Sequence, residues 1–332
     1  MSEQIPFGLD RVATISSSVR LHAALADMTP ESLQSDVTRY TRPFPLSTAS
    51  RGEFKAFVKP GDNDHMIAFV PELGAWKNTD YIGRNLAVAA MVDPDAWVVM
   101  LRHGNPFPGR SPLALGMREW TNYTKAGVER LKVVSGKLGD PAKQTIFGNS
   151  LGGSTALEYS ADRDTPATAT IVGDVVTIPR TPKRGVKNLL DDSAKGGGDA
   201  REALSRYFPG VSLELAEEFQ AQNSPEQGEA RLRRLIALHP IEMALQLHTL
   251  ATSTRSLDHI EAALEKPTAA VAHLWSTEGY VSPLDTNRAI QASLVDHPRY
   301  TGHEIEGNHL DVVVNCPVLG YGAIRANQLR AA

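Results

Sequence analysis

A serine set among glycines, Gly148-Asn149-Ser150-Leu151-Gly152-Gly153, constrains this chain more than any other stretch. Before it, Gln144-Thr145-Ile146-Phe147 is a short apolar run of the kind that makes a buried strand. After it, Ser154-Thr155-Ala156-Leu157-Glu158-Tyr159 has the character of a helix's first turns. A serine held at such a strand-to-helix turn takes up a strained backbone conformation, and only small neighbours let strand and helix approach that closely. The strain lifts the hydroxyl above the sheet edge. The helix N-terminus directs its unbonded N–H groups and the positive end of its dipole at the same spot.

The chain around this turn alternates strands with helices. Residues 11–35 have helical spacing, and Thr29-Pro30-Glu31 reads as a helix start with Thr29 as cap and Pro30 in the first position. Tyr40 to Ser50, rich in Pro, Ser and Thr, reads as an extended surface segment. Strands are predicted at 53–58, 66–70 and 97–101, with helices at 81–91 and 113–138. Ala167 to Val176 is the next strand, with Gly173-Asp174 near its end. From Arg180 to Lys266 the rhythm breaks into successive helical segments, the last at 257–264, preceded by the flexible Gly196-Gly197-Gly198. Strands return at 268–275 and 300–305, with a helix at 285–293 between them. Alternation of this kind predicts an α/β fold, with a mostly parallel central sheet covered by helices on both faces.

The Gly-x-Ser-x-Gly turn between a strand and a helix resembles the nucleophile elbow of the α/β-hydrolase superfamily. Other segments extend the resemblance from about Glu53 to the C-terminus. Gly307-Asn308-His309 follows the last strand, where the superfamily carries its catalytic base, so the resemblance implies His309 as base to the Ser150 nucleophile. Ser276-Thr277-Glu278-Gly279-Tyr280-Val281-Ser282-Pro283 looks like the acid loop after the seventh strand, which implies Glu278 as the acid. Asp285 and Asp174 stay open as alternatives, the latter because some members carry the acid after the sixth strand. The oxyanion hole would use the backbone N–H groups of Leu151 and, by position after the third strand, Leu73; Pro71-Glu72 stands where His-Gly is common. His103, in the loop after the fourth strand, lies near the same edge but has no partner by position alone. The implied organisation is an N-terminal helical extension over residues 1–50, a core over 51–179 and 267–332, and a helical cap over 180–266.

A serine hydroxyl is a poor nucleophile at neutral pH and needs a base within hydrogen-bond reach, itself oriented by an acid. This chemistry requires neither metal nor organic cofactor, and the sequence has no His-Glu-x-x-His, cysteine cluster or Gly-x-Gly-x-x-Gly. The 34 basic and 38 acidic residues, a formal charge of −4, argue against nucleic acid or an anionic membrane as the main partner. Cys316 is the sole cysteine, so no intrachain disulfide can form. The first ten residues do not read as a secretory signal and no apolar run is long enough to span a bilayer; a cytoplasmic protein is expected. The expectation is a serine hydrolase acting on a carboxylic ester, thioester or amide of a medium-sized, partly apolar small molecule. An acyltransferase with the same triad and a non-catalytic binding protein on the same fold remain open.

Overall fold

The computed structural model describes residues 29–45, 53–72, 79–101, 123–175, 256–278, 283–309, 312, 316–317 and 320–324. Eight strands form one sheet in the order β1-β2-β4-β3-β5-β6-β7-β8. They are β1 (Thr41–Pro45), β2 (Glu53–Lys59), β3 (His65–Val70), β4 (Trp97–Leu101), β5 (Lys143–Asn149), β6 (Ala167–Gly173), β7 (Ala270–Ser276) and β8 (Tyr300–Ile305). Only β2 runs against the others; β4, β3, β5, β6, β7 and β8 are successively parallel.

Among the described residues, the helices with defined bounds are α1 (Pro30–Tyr40), α2 (Thr79–Val92), α3 (Tyr123–Lys137), α4 (Leu151–Ala161), α5 (Ser256–Leu264) and α6 (Leu284–Leu294). Which face each covers follows from strand order. A right-handed crossover puts its helix on a face fixed by the direction of travel along the sheet. The step β3 to β4 goes one way, and every later step goes the other. Accordingly α2 packs with Ile67, Phe69, Phe147 and Ile171 on one face, beside Val312, Cys316 and Ile324 of the C-terminal segment. Residues of α3, α4, α5 and α6 pack with Met66, Ala68, Ile146, Val172 and Val271 on the other. The alternation along β3 and β5 thus buries both faces of the strand, and all six residues of β3 are buried.

Three local findings refine the sequence reading. Thr29 caps α1, its side chain accepting from the Ser32 N–H at 3.1 Å while the Ser32 hydroxyl accepts from the Thr29 N–H at 2.9 Å, with Pro30 opening the helix. Residues 41–45, expected as extended surface chain, instead pair with β2 as an edge strand. Pro43 and Pro45 are compatible with this because β1 has a neighbour on one side only. The segment expected as the last cap helix, 257–264, is α5, and its Ile260, Ala263 and Leu264 are buried in the same layer as α4. The other expected cap helices, between 180 and 255, lie outside the described residues.

Candidate active site

The direction of chain travel reverses between β3 and β5, and in open α/β sheets such a switch point opens a crevice at the carboxyl ends of the strands. Ser150 follows β5 at that crevice. Its backbone has φ 51° and ψ −120°, a conformation that costs a non-glycine residue on the order of 1–3 kcal/mol. Neighbouring contacts hold it there. The Ser150 N–H donates to Gly173 O at 2.8 Å, and its carbonyl accepts from the Gly153 N–H at 3.1 Å. A serine in front of a helix ordinarily caps it with its hydroxyl, whereas Ser150 makes no side-chain capping bond to α4. The hydroxyl is left for other work.

The glycines of the motif are required by close approach. A Cβ on Gly148 would lie 2.4 Å from Gly152 O, so strand and helix meet there without room for a side chain. A Cβ on Gly152 would lie 2.2 Å from Val70 O and 2.8 Å from Pro71 O, so the first turn of α4 sits directly on the end of β3. Leu151, completely buried, opens α4, where helical N–H groups have no intrahelical acceptor. Glu72, next after Pro71, is half-buried; Leu73 and His103 lie outside the described residues.

Strand register brings the remaining groups to the same edge. Asn149 pairs with Gly173, so Ser150 and Asp174 leave adjacent strands at one level. Among the described residues only Asp140, Ser150 and Asp174 combine a side chain with positive φ. Asp140 closes the turn after α3, and the other two stand side by side at the strand ends. Asp174, with φ 45°, is fixed by its N–H donating to Leu274 O at 2.8 Å. One strand further, Ser276 at the end of β7 donates through its hydroxyl to Asp174 Oδ2 at 3.1 Å and through its N–H to Oδ1 at 3.3 Å. Beyond β8, Gly307 turns the chain at φ 120°, held by its N–H to Thr277 Oγ1 at 3.0 Å and by the Glu278 N–H to its carbonyl at 3.0 Å. That turn delivers His309.

His309 Nδ1 lies 2.7 Å from Asp174 Oδ2. Both side chains are buried, Asp174 completely and His309 to 3% exposure, so their attraction is little screened by solvent. An ionised carboxylate can only accept, which puts the imidazole proton on Nδ1 and the lone pair on Nε2. Burial of the carboxylate is compensated by three donors: the imidazole, the Ser276 hydroxyl and the Ser276 N–H. Cys316 packs behind Gly173, within 2.8 Å of where a Cβ would stand. Burial first, and the Asp174 charge second, push its thiol well above the ordinary range, so it remains a neutral core atom.

The structure therefore sets Ser150 and Asp174 at neighbouring strand ends and His309 against the Asp174 carboxylate. Glu278 and Asp285, the other two carboxylates weighed from the sequence, are both exposed, and His309 Nδ1 pairs with Asp174. Glu278 contributes its backbone N–H to the turn that carries His309. Ser276 is the residue that sequence reasoning passes over, because a serine closing an apolar strand carries no signal of its own. Among the described residues no group of three or more His, Cys, Asp and Glu side chains is placed to hold a metal ion, and no helix is long and apolar enough to cross a membrane. A buried serine on an elbow of this geometry supports serine-hydrolase chemistry in general terms.

No protein-family model matches the chain, and no curated protein matches it. Solved structures do. A proline iminopeptidase from Mycobacterium smegmatis aligns at 16% identity and a TM-score of 0.51, covering 88% of this chain and 100% of its own. A thermophilic esterase from Thermogutta terrifontis, with malate bound, aligns at 18% identity and 0.52, covering 88% and 98%. A carboxylesterase of the thaumarchaeon Nitrososphaera gargenis aligns at 14% identity and 0.51, covering 87% and 98%. At such identities the likeness is one of fold alone. With its strand order, its positive-φ serine after β5 and these likenesses, the chain has the α/β-hydrolase fold.

Proposed function

We propose that this chain is a serine hydrolase that cleaves a carboxylic ester, with thioesters and amides as chemical neighbours, through an acyl-enzyme on Ser150. One observation carries the reading: a strained serine whose hydroxyl does not cap its helix stands one strand from a buried Asp174–His309 pair. His309 Nε2 takes the Ser150 proton during attack and returns it to the leaving group. Asp174, rather than Glu278 or Asp285, fixes the tautomer and stabilises the imidazolium, because its carboxylate is the one bonded to Nδ1. The tetrahedral oxyanion is held by the Leu151 N–H at the start of α4 and by an N–H of the loop after β3, Leu73 by position. A core over 51–179 and 267–332, an N-terminal extension over 1–50 and a helical cap over 180–266 complete the reading, the cap favouring a medium-sized, partly apolar substrate. Water releases the acyl group; an alcohol in its place would make the same triad an acyltransferase.

Labelling with a fluorophosphonate probe followed by peptide mapping tests it. The adduct is expected on Ser150, absent in Ser150→Ala, and slowed at least a hundredfold in His309→Ala and Asp174→Asn. The same Ser150→Ala protein should keep its circular dichroism spectrum, since the hydroxyl is not a capping group. Folded wild type that forms no adduct at all would refute an activated serine and favour a binding scaffold.

A further inference from the structure

Resting on the serine-hydrolase reading above, we infer that Ser276 is a positioning residue for the acid: it locks the Asp174 carboxylate in the plane that orients His309. It contacts neither the Ser150 hydroxyl nor the reacting carbonyl in this role and acts only through Asp174.

The contact is made at two points. The Ser276 N–H reaches Oδ1 at 3.3 Å and its hydroxyl reaches Oδ2 at 3.1 Å, so one residue spans both oxygens of the carboxylate. Oδ2 is also the oxygen bonded to His309 Nδ1 at 2.7 Å. A carboxylate gripped at one oxygen alone can turn about its Cβ–Cγ bond and carry the imidazole with it. Gripped at both, it cannot.

The surroundings say why this residue is a serine. From Val271 to Trp275, β7 is apolar apart from His273, and all seven of its residues are buried. A hydroxyl at the buried end of such a strand is a cost unless bonded, and the Asp174 carboxylate is the acceptor it meets. The backbone of β7 is itself pinned on both sides. Asp174 N–H donates to Leu274 O at 2.8 Å, and the next residue after Ser276, Thr277, donates its N–H to Ile305 O at 2.9 Å. Ser276 is therefore held on the strand between the one that carries the acid and the one that leads to the base. The acid's own backbone stands at φ 45°, a conformation aspartate accepts, with its N–H bonded to Leu274 O. Among the described residues, His273 on β7 and Cys316 of the C-terminal segment stand under the field of Asp174, and burial keeps each neutral.

The test is the second-order rate constant for fluorophosphonate labelling of Ser150, resolved into maximal rate and half-saturation. Wild type, Ser276→Ala, Asp174→Asn and the double variant are compared, with urea midpoints for all four. Ser276→Ala should lower the maximal labelling rate about tenfold with half-saturation unchanged. The same substitution should have less than a twofold effect in the Asp174→Asn background, where the ionised carboxylate it orients is gone. The His309 Nδ1–H proton resonance should broaden or move in Ser276→Ala while the fold is retained. A Ser276→Ala protein labelled at the wild-type rate overturns the inference. So does an equal slowing in both backgrounds, which would mean a general packing effect. Failure of wild type to label would instead strike the serine-hydrolase reading, so the two failures are distinguishable.

Discussion

Acidification should destabilise this fold through His273, a residue outside the proposed chemistry. The ring is fully buried at the centre of β7, its centroid 5.1 Å from that of Trp275, with Nδ1 sharing a 3.3 Å hydrogen bond with the Tyr300 hydroxyl. Nε2 is buried and has no hydrogen-bond partner among the described residues. A proton there would bring a charge into the apolar interior. Burial lowers the His273 pKa from 6.5 to about 4, against the opposing attraction of Asp174. The native ring therefore stays neutral down to about pH 4, whereas in the unfolded chain it takes its proton near 6.5. Stability from this site is complete above about pH 6.5 and is lost as pH falls, at about 1.4 kcal/mol per pH unit, levelling off near pH 4 after about 3 kcal/mol. His65, His297 and His303 have pKa values lowered mainly by burial as well, so acid loss in the wild type alone would not identify the residue. The informative quantity is the stability gap between wild type and His273→Asn, whose amide can still meet Tyr300. Urea unfolding at pH 7.5 and 5.0 should show the gap moving by about 2 kcal/mol in the variant's favour at the lower pH. A gap that stays constant would mean that the native site accommodates the charged ring, and the burial argument would be wrong.

Other perturbations test the packing that builds the site. Gly152→Ala forces a Cβ to within 2.2 Å of Val70 O, a backbone atom that cannot swing aside; we expect a loss of about 1–3 kcal/mol in urea unfolding and slower labelling of Ser150. Unchanged stability would show that α4 is free to draw back from β3. The Arg299 guanidinium donates to Leu264 O at 2.7 Å, to Ala269 O at 2.8 Å and to Lys266 O, closing the connection from α5 to β7. Arg299→Lys keeps the charge but not the fork and should lower the thermal midpoint, by an amount corresponding to about 1–3 kcal/mol. An unshifted midpoint would leave only the charge to matter there.

Much of the fold was legible because its strands are buried on both faces and so stand out as uninterrupted apolar runs. Trp97-Val98-Val99-Met100-Leu101 is β4 to the residue, and 66–70 falls within β3, all six of whose residues are buried. Thr29 and Pro30 marked the start of α1 because a cap and a first-turn proline are local chemistry, complete within a few residues. β1 escaped for the converse reason. Two prolines in five residues read as a break, and what admits them is an edge position, a property of the sheet that the segment itself does not carry.

The candidate site divides along the same line. Ser150 could be recognised because the glycines around it answer contacts within the motif or immediately beside it: Gly148 against Gly152, and Gly152 against the end of β3. His309 could be recognised because Gly307, at φ 120°, marks the turn that presents it. Asp174, the acid proposed above, has no such marker. Aspartate tolerates positive φ more readily than most residues, so Asp174 takes φ 45° without a glycine to announce it. Its partners, Leu274 and Ser276 on β7 and His309 after β8, lie a hundred or more residues downstream. Reading the stretch after β7 for an acid found Glu278, yet the bond to the Asp174 carboxylate is made two residues earlier, by Ser276 at the end of β7, a residue of a different chemistry. What brings Asp174 into the candidate site is the register Asn149 to Gly173, which sets it level with Ser150 on the neighbouring strand. Register is fixed by pairing across the whole sheet, and no window of sequence contains it.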